Sequence, residues 1–401
     1  MASFISKKAA KIKEDTLQRK NEELKLSTVE KTEELPSSSY KFPDEGTLIA
    51  SVDMSKLNYL NSNDLIEPEI NLYYYNSCIC KYNDLYRLFY RCGKNPKTCE
   101  DRIATCLLTK ELQVVPNSNK YVAVFSNWQA SRNAGPDTLD RHIRYYYSAS
   151  EDVKSFIYKD GYHVEDPRVV EFQGSWFMFY TDGLTVGVAK LELDTCDVIY
   201  SHFLDVPPTH IVSSQSDGRE KNWIPIVSSN KLYLLYSDTP RTFIHCIDEA
   251  TKLSVEKYDK LNYNVLWNYG SVRGGCPPIE YDENTLIWFF HSSKAFYSSI
   301  QTLNNKIYFI GAYLTSKTYP FEIKEVTQYP IFFGFPSSIS VEKSYQTNVV
   351  FPCGAIYEEG RFIISMGVND HYIGHLQFDK SNIIWKPFEK TFLFLKLNTF
   401  S

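Results

Sequence analysis

From about Lys41 onward, short apolar runs rich in β-branched and aromatic residues alternate with Asn, Asp, Gly and Pro, and no long helical period interrupts them. Five of the runs read as aromatic strands that each complete a hairpin: residues 85–90, 175–180, 231–236, 285–290 and 361–366. The turn before each is marked by Asn83-Asp84, Gln173-Gly174, Asn230, Glu283-Asn284 or Glu359-Gly360. Within the runs the alternation is aromatic rather than strictly polar and apolar, as expected when both faces of a sheet are covered. A short polar or glycine-bearing cluster lies upstream of every run: Asn76-Ser77, Glu165-Asp166-Pro167-Arg168, Glu220-Lys221-Asn222-Trp223, Arg273-Gly274-Gly275 and Phe351-Pro352-Cys353-Gly354. A strand-built unit recurring at roughly fifty to ninety residues predicts an all-β, five-bladed β-propeller whose inner strands converge on one axial site. A sixth apolar segment, residues 120–125, lacks such a cluster and is assigned to the outer part of the first unit or to an insertion there, with a six-bladed count as the alternative.

Residues 6–34 break with this pattern. They are almost wholly charged and polar, with a few Leu at loose helical spacing, too little apolar surface to offset the entropy of ordering. Residues 1–40 are therefore read as a charged N-terminal extension, and residues 41–401 as the propeller, with Pro36-Ser37-Ser38-Ser39 as the linker. Two readings of the extension stand: a frayed, solvated helix, or an arm on a neighbouring subunit of a homo-oligomer.

Composition narrows the partners. The 30 Tyr and 25 Phe suit pleated surfaces stacked blade on blade. A net charge of −5 supplies no basic field, so nucleic acid is not expected as a partner and any anion site must be local. The nine Cys have no metal-ligand spacing and read as reduced core thiols of a cytoplasmic protein; no metal or cofactor is expected. No apolar stretch approaches the eighteen or so residues of a membrane span.

Candidate chemistry lies in the clusters. Asp166, held before Pro167 at the start of an inner strand, is placed to act as a proton donor if its pocket is partly dehydrated. Lys221 with Asn222, Arg273 and His291 come from separate units; gathered at the axis they would form a basic pocket for a small dianion such as phosphate. Gly274-Gly275 would let backbone approach a ligand closely, but neither dinucleotide nor P-loop spacing is present. Asp370, at the end of the fifth aromatic strand, could accept hydrogen bonds from sugar hydroxyls or cap a turn.

At these residues the chain resembles glycoside hydrolase family 130, the five-bladed mannoside phosphorylases, and the related β-1,2-mannosyltransferases and phosphorylases of glycosyltransferase family 108. The resemblance runs from about Leu65 to Leu376 and is most specific at Val164-Glu165-Asp166-Pro167-Arg168. It implies that Asp166 is the general acid and that Asn76, Ser77, Arg91 and Asp370 bind sugar. It further implies that Lys221, Asn222, Arg273 and His291 bind phosphate, with Lys221 standing where the phosphorylases usually carry Arg. The implied reaction is inverting. Phosphate attacks the anomeric carbon of a mannoside while Asp166 donates a proton through a sugar hydroxyl; in reverse, a mannoside grows from mannose 1-phosphate or a nucleotide-mannose. An inverting hydrolase and a non-catalytic carbohydrate-binding propeller are the competing readings, the first requiring a base to activate water.

Overall fold

The computed structural model describes residues 38–42, 46–65, 73–93, 101–122, 164–181, 186–204, 221–249, 252–295, 306–335 and 348–392. The helical spacing of residues 6–34, Cys99 and residues 123–125 lie outside them. Five antiparallel sheets of the described chain are arranged as the blades of a propeller, and two further two-stranded sheets pair Ser38–Phe42 with Gly46–Ala50 and Tyr263–Asn264 with Thr391–Phe392. Blade 1 comprises Tyr73–Tyr82, Leu85–Gly93, Asp101–Leu108 and Lys120–Val122 in that order, so the sixth apolar segment is the outer strand of the first unit. Blade 2 follows with Glu165–Phe172, Ser175–Thr181, Val186–Glu192 and Val198–Phe203. Blade 3 is Ile224–Ser228, Lys231–Asp238, Arg241–Asp248 and Leu253–Lys260.

Blade 4 runs Ile279–Glu280, Thr285–Ala295, Lys306–Ser316 and Ile323–Thr327, and Trp385–Pro387 returns to pair on its outer edge. Blade 5 takes Val350–Glu358, Arg361–Val368 and Tyr372–Asp379 from the end of the chain but its outer strand, Leu57–Tyr59, from the beginning. Pairing of Leu57 with Leu376 and of Tyr59 with Gly374 thus closes the ring. An edge that would otherwise be open is satisfied by the chain's own N-terminal segment.

Five hydrophobic clusters fill the five blade-to-blade interfaces. Phe89 and Cys78 of blade 1 meet Trp176 and Met178 of blade 2. Phe177 and Phe179 on the other face of blade 2 meet Leu232, Leu234 and Ile244 of blade 3. Tyr233 and Phe243 meet Trp288 and Tyr313, Phe289 meets Phe362 and Phe378, and Ile356 and Ile363 meet Tyr74 and Leu88. Neighbouring residues of one strand, such as Trp176 and Phe177, therefore face different interfaces. That double burial is why the sequence shows aromatic runs instead of a polar and apolar alternation. The eight described Cys are free thiols, all but Cys80 buried. Among the described residues no helix is long and apolar enough to cross a membrane.

The upstream clusters have a common structural meaning: in four blades they carry β-bulges, the one in blade 5 leaving Cys353 as the extra residue between the pairs Pro352 with Met366 and Gly354 with Ser365. Asn76 and Ser77 stand opposite Tyr90 alone, between the pairs Tyr75 with Arg91 and Cys78 with Phe89. Asp166 and Pro167 stand opposite Tyr180 in the same way. Gly274 and Gly275 stand opposite Phe290, between the bridge of Arg273 with His291 and the bond from Cys276 to the Phe289 carbonyl. A bulge turns one side chain out of the ladder. Here it does so on inner strands, at the end where Asn76, Asp166 and Asn222 all take positive φ (49°, 56° and 67°).

Candidate active site

Asp166 owes its direction to this backbone. Its φ of 56° is a conformation that L-residues other than Asn and Asp seldom adopt, and it falls within the bulge. The aiming that Pro167 suggested in the sequence thus resides one residue earlier. The carboxyl is 5 % exposed and accepts a hydrogen bond from Asn76 Nδ2 at 2.7 Å. Gly367 makes room for this contact, since a Cβ there would lie 1.9 Å from Asn76 Oδ1. Arg91 Nη1 is 3.6 Å from the same carboxyl but binds Glu165 more closely, at 2.6 Å, and its Nη2 reaches Asp101 at 2.5 Å. One guanidinium therefore serves three carboxylates. Burial, followed by the nearby Glu165 charge, raises the Asp166 pKa above the usual carboxylate range, against the pull of Arg91, Arg168 and the Asn76 hydrogen bond.

Asp370 joins this acidic side from the end of blade 5, with φ 50°. It keeps part of its surface open, yet desolvation lifts its pKa to about 6 despite Arg91, with Asp166 and Glu165 adding to the rise. Ser77 is placed differently from its expected sugar-binding role. It is fully buried, and its hydroxyl pairs with Ser365 Oγ at 2.5 Å, joining blade 1 to blade 5 beneath the site. The bulge explains this: of the two residues opposite Tyr90, Asn76 turns toward Asp166 and Ser77 turns into the blade interface.

The cations singled out in the sequence gather on the opposite side, from two units and not three, since Arg273 and His291 are bridged to each other in blade 4. His291, 2 % exposed, lies within electrostatic reach of Arg273, Arg168 and Lys221. Burial and these cations hold its pKa well below the ordinary imidazole value. Lys221 and Arg273 are partly exposed, and Asn222 is buried. A small pocket between blades 2 and 3 has Asp166, Arg168, Tyr180, Lys221 and Asn222 in its wall, so the Asp166 carboxyl and part of the cationic group share one opening.

Three residues without an assigned role in the sequence organise these two halves. Arg168, 3 % exposed, donates from Nε to the Gly275 carbonyl at 2.7 Å and from Nη2 to Gly274 O and Asn222 Oδ1, both at 3.4 Å. It ties the Asp166 strand to the cation-bearing segments of blades 3 and 4. Its position directly after Asp-Pro was the available signal. Asp101 fixes Arg91 from ten residues away, and nothing in its neighbourhood advertised this. Tyr308 stacks on His291 (centroids 6.0 Å apart, planes 10° apart), and its partly exposed phenol is within reach of the charges of Asp370, Arg273 and Asp166.

Residues 104–385, more than half of the 401, match the sequence model of glycoside hydrolase family 130, described as β-1,4-mannooligosaccharide phosphorylase. Asp166, Lys221, Asn222, Arg273, His291 and Asp370 fall inside that span, while Asn76, Ser77 and Arg91 precede it. No curated protein matches the chain. Among solved structures, β-1,2-mannobiose phosphorylase from Listeria innocua, in complex with β-1,2-mannobiose, superposes with a TM-score of 0.52 at 13 % identity, over 81 % of this chain and 97 % of that one. A glycosyl hydrolase from Bacteroides ovatus superposes with a TM-score of 0.51 at 16 % identity, over 90 % of this chain and 100 % of that one. At these identities the likeness is one of fold.

Proposed function

The chain belongs to glycoside hydrolase family 130, and from that premise we propose that it is an inverting enzyme exchanging a mannosyl unit between a β-mannoside and phosphate. The observation that carries this reading is the pairing of one buried carboxyl whose pKa is raised by burial, Asp166, with a cluster of Arg168, Lys221, Arg273 and His291 contributed by three blades. In the proposed reaction an oxygen of phosphate attacks the anomeric carbon and the bond to the bridging oxygen breaks. Asp166 supplies a proton to that oxygen through a hydroxyl of the sugar. Asp166 then stands as a carboxylate and regains its proton from solvent, or acts as the base when the reaction runs toward mannoside synthesis. Asn76 and Arg91 orient Asp166, and Asp370 is the candidate ligand for a sugar hydroxyl. Asn222, held by Arg168, lines the anion side. Ser77 has no place in contact with substrate.

An inverting hydrolase requires a second carboxylate positioned to activate water. The groups gathered on the anion side are instead cationic or neutral, which favours an oxyanion there over a water held by a base. The test is a screen of mannosides with and without phosphate, detecting mannose 1-phosphate. It is run in reverse with mannose 1-phosphate and nucleotide-mannose as donors against mono- and oligosaccharide acceptors. Phosphate-dependent formation of mannose 1-phosphate is expected. Release of free mannose at a rate independent of phosphate would replace the proposal with the hydrolase.

A further inference from the structure

His291 has one nitrogen committed and one free. Nδ1 lies 2.8 Å from the carbonyl oxygen of Gly274, which can only accept, so Nδ1 carries the proton. That carbonyl is firmly placed, since a Cβ on Gly274 would lie 1.8 Å from the Asn222 carbonyl oxygen, and Arg168 Nη2 also donates to it at 3.4 Å. The ring is held between Tyr308 and Phe351, the latter with its centroid 4.6 Å away, and the His291 backbone is bridged in both directions to Arg273. Nε2 has no hydrogen-bond partner among the described residues, and it is not among the buried polar atoms sealed from solvent. A second proton would have to settle on Nε2 of a buried ring within electrostatic reach of Arg273, Arg168 and Lys221, while Asp166 and Asp370 are the acidic groups within reach of the stacked Tyr308. Burial first, and then the three nearby cations, make that costly. Nε2 is therefore a lone pair set among cations.

Resting on the phosphate-exchange reading above, we propose that this subsite recognises a proton as well as a charge: His291 Nε2 accepts a hydrogen bond from the P–OH of hydrogen phosphate, so the site takes hydrogen phosphate or hydrogen arsenate and rejects sulfate. The three anions are close in size and shape, but at neutral pH sulfate has no hydroxyl to offer. Its oxygen would face the imidazole lone pair with neither group satisfied, a mismatch that lowers affinity by about 30-fold or more. The bound proton is a spectator of the chemistry. One unprotonated oxygen of HPO4(2−) forms the new bond to the anomeric carbon, Asp166 supplies the proton to the departing oxygen, and the sugar 1-phosphate leaves as its monoanion.

Calorimetric titration of the full chain with sodium phosphate and with sodium sulfate, between pH 6 and 8.5, tests this without needing turnover. Phosphate is expected to bind at least about 30-fold more tightly than sulfate at pH 7.5, with a ratio that does not narrow toward pH 6. Sulfate binding within about threefold of phosphate, or sulfate affinity climbing about tenfold as the pH falls through 7 to 6, would mean a protonated imidazole and would overturn the proposal. His291→Phe keeps the stacked ring and removes the acceptor; it should weaken phosphate, leave sulfate unchanged and so collapse the ratio. Should that variant fail to fold, the comparison in the wild-type protein still decides. Phosphate binding without discrimination overturns this inference alone, whereas absence of binding by either anion overturns the phosphate-exchange reading with it.

Discussion

Arg168→Lys preserves the charge between the two halves of the site but replaces a fork with a point. The guanidinium makes one short charge-assisted bond, to the Gly275 carbonyl at 2.7 Å, and longer ones to Gly274 O, Asn222 Oδ1 and its own strand's Asp166 carbonyl at 3.4, 3.4 and 3.3 Å. A lysine ammonium in the same space reaches one of these acceptors well. A hydrogen bond to a charged group contributes about 1.5–3 kcal/mol, and the long ones contribute less. The Gly275 carbonyl or its neighbours are then left buried with poorer partners. The expected loss of stability is about 2–4 kcal/mol, a large share of the 5–15 kcal/mol typical of a folded domain. Urea unfolding measures it directly. Because Asn222 and Gly274 lose their tether to the Asp166 strand, phosphate-dependent kcat/KM should also fall by about 10- to 100-fold, the scale expected for small misplacements of reacting groups. A variant that loses less than about 1 kcal/mol and keeps its activity would show that Arg168 does not join the acid strand to the cationic segments.

Two further perturbations probe the acid and the core. Asp166→Asn should lower phosphate-dependent cleavage of alkyl mannosides by about 10²- to 10⁴-fold while leaving unfolding nearly unchanged, since an amide oxygen can still accept from Asn76; an activated aryl leaving group should suffer far less, and retention of a tenth of the alkyl activity would sink the assignment. Activity of the native enzyme should decline on the alkaline side as Asp166 gives up the proton that burial helps it keep. His375 in blade 5 is 1 % exposed, neither ring nitrogen has a partner among the described residues, and burial pushes its pKa down to about 4. The unfolded chain takes up that proton below its ordinary value near 6.5 and the folded chain does not, so stability is complete above that pH and falls toward pH 4 by about 3 kcal/mol. His375→Leu should remove this part of the acid sensitivity, visible as a smaller drop in urea stability between pH 7 and 4.5; equal drops in the two proteins would contradict it.

The hairpins were legible because their information is local. Strands begin at Leu85, Ser175, Lys231, Thr285 and Arg361, each at the first residue of an aromatic run; in all but the Thr285 hairpin the turn, at Asn83, Gln173-Gly174, Asn230 or Glu359-Gly360, adopts the positive φ that two-residue hairpins demand. The polar clusters were visible as a repeat, but their identity as bulges was not. Nothing in Asn76-Ser77 says which of the two side chains turns toward the axis, and the structure sends Ser77 into contact with Ser365, 288 positions away. Ring closure was equally hidden. Leu57–Tyr59 is three residues long, half-buried to exposed, and pairs with Tyr372–Asp379 at the far end of the described chain.

The sequence by itself determined the five-fold strand repeat, the polar segment that opens each unit and the residues able to carry a proton or bind an anion, because turn chemistry and burial on two faces act over a few residues. Tertiary structure alone decided that Arg91 is shared among Asp101, Glu165 and Asp166, and that Arg168 spans to Gly275. It also decided that His291 keeps its proton on Nδ1 against Gly274. Arg91 with Glu165 and Asp166, and Arg168 with Gly275, join different blades, whereas Arg91 with Asp101 and His291 with Gly274 depend on strand register within one blade; in both cases the distance is set by pairing that no local stretch of chain encodes.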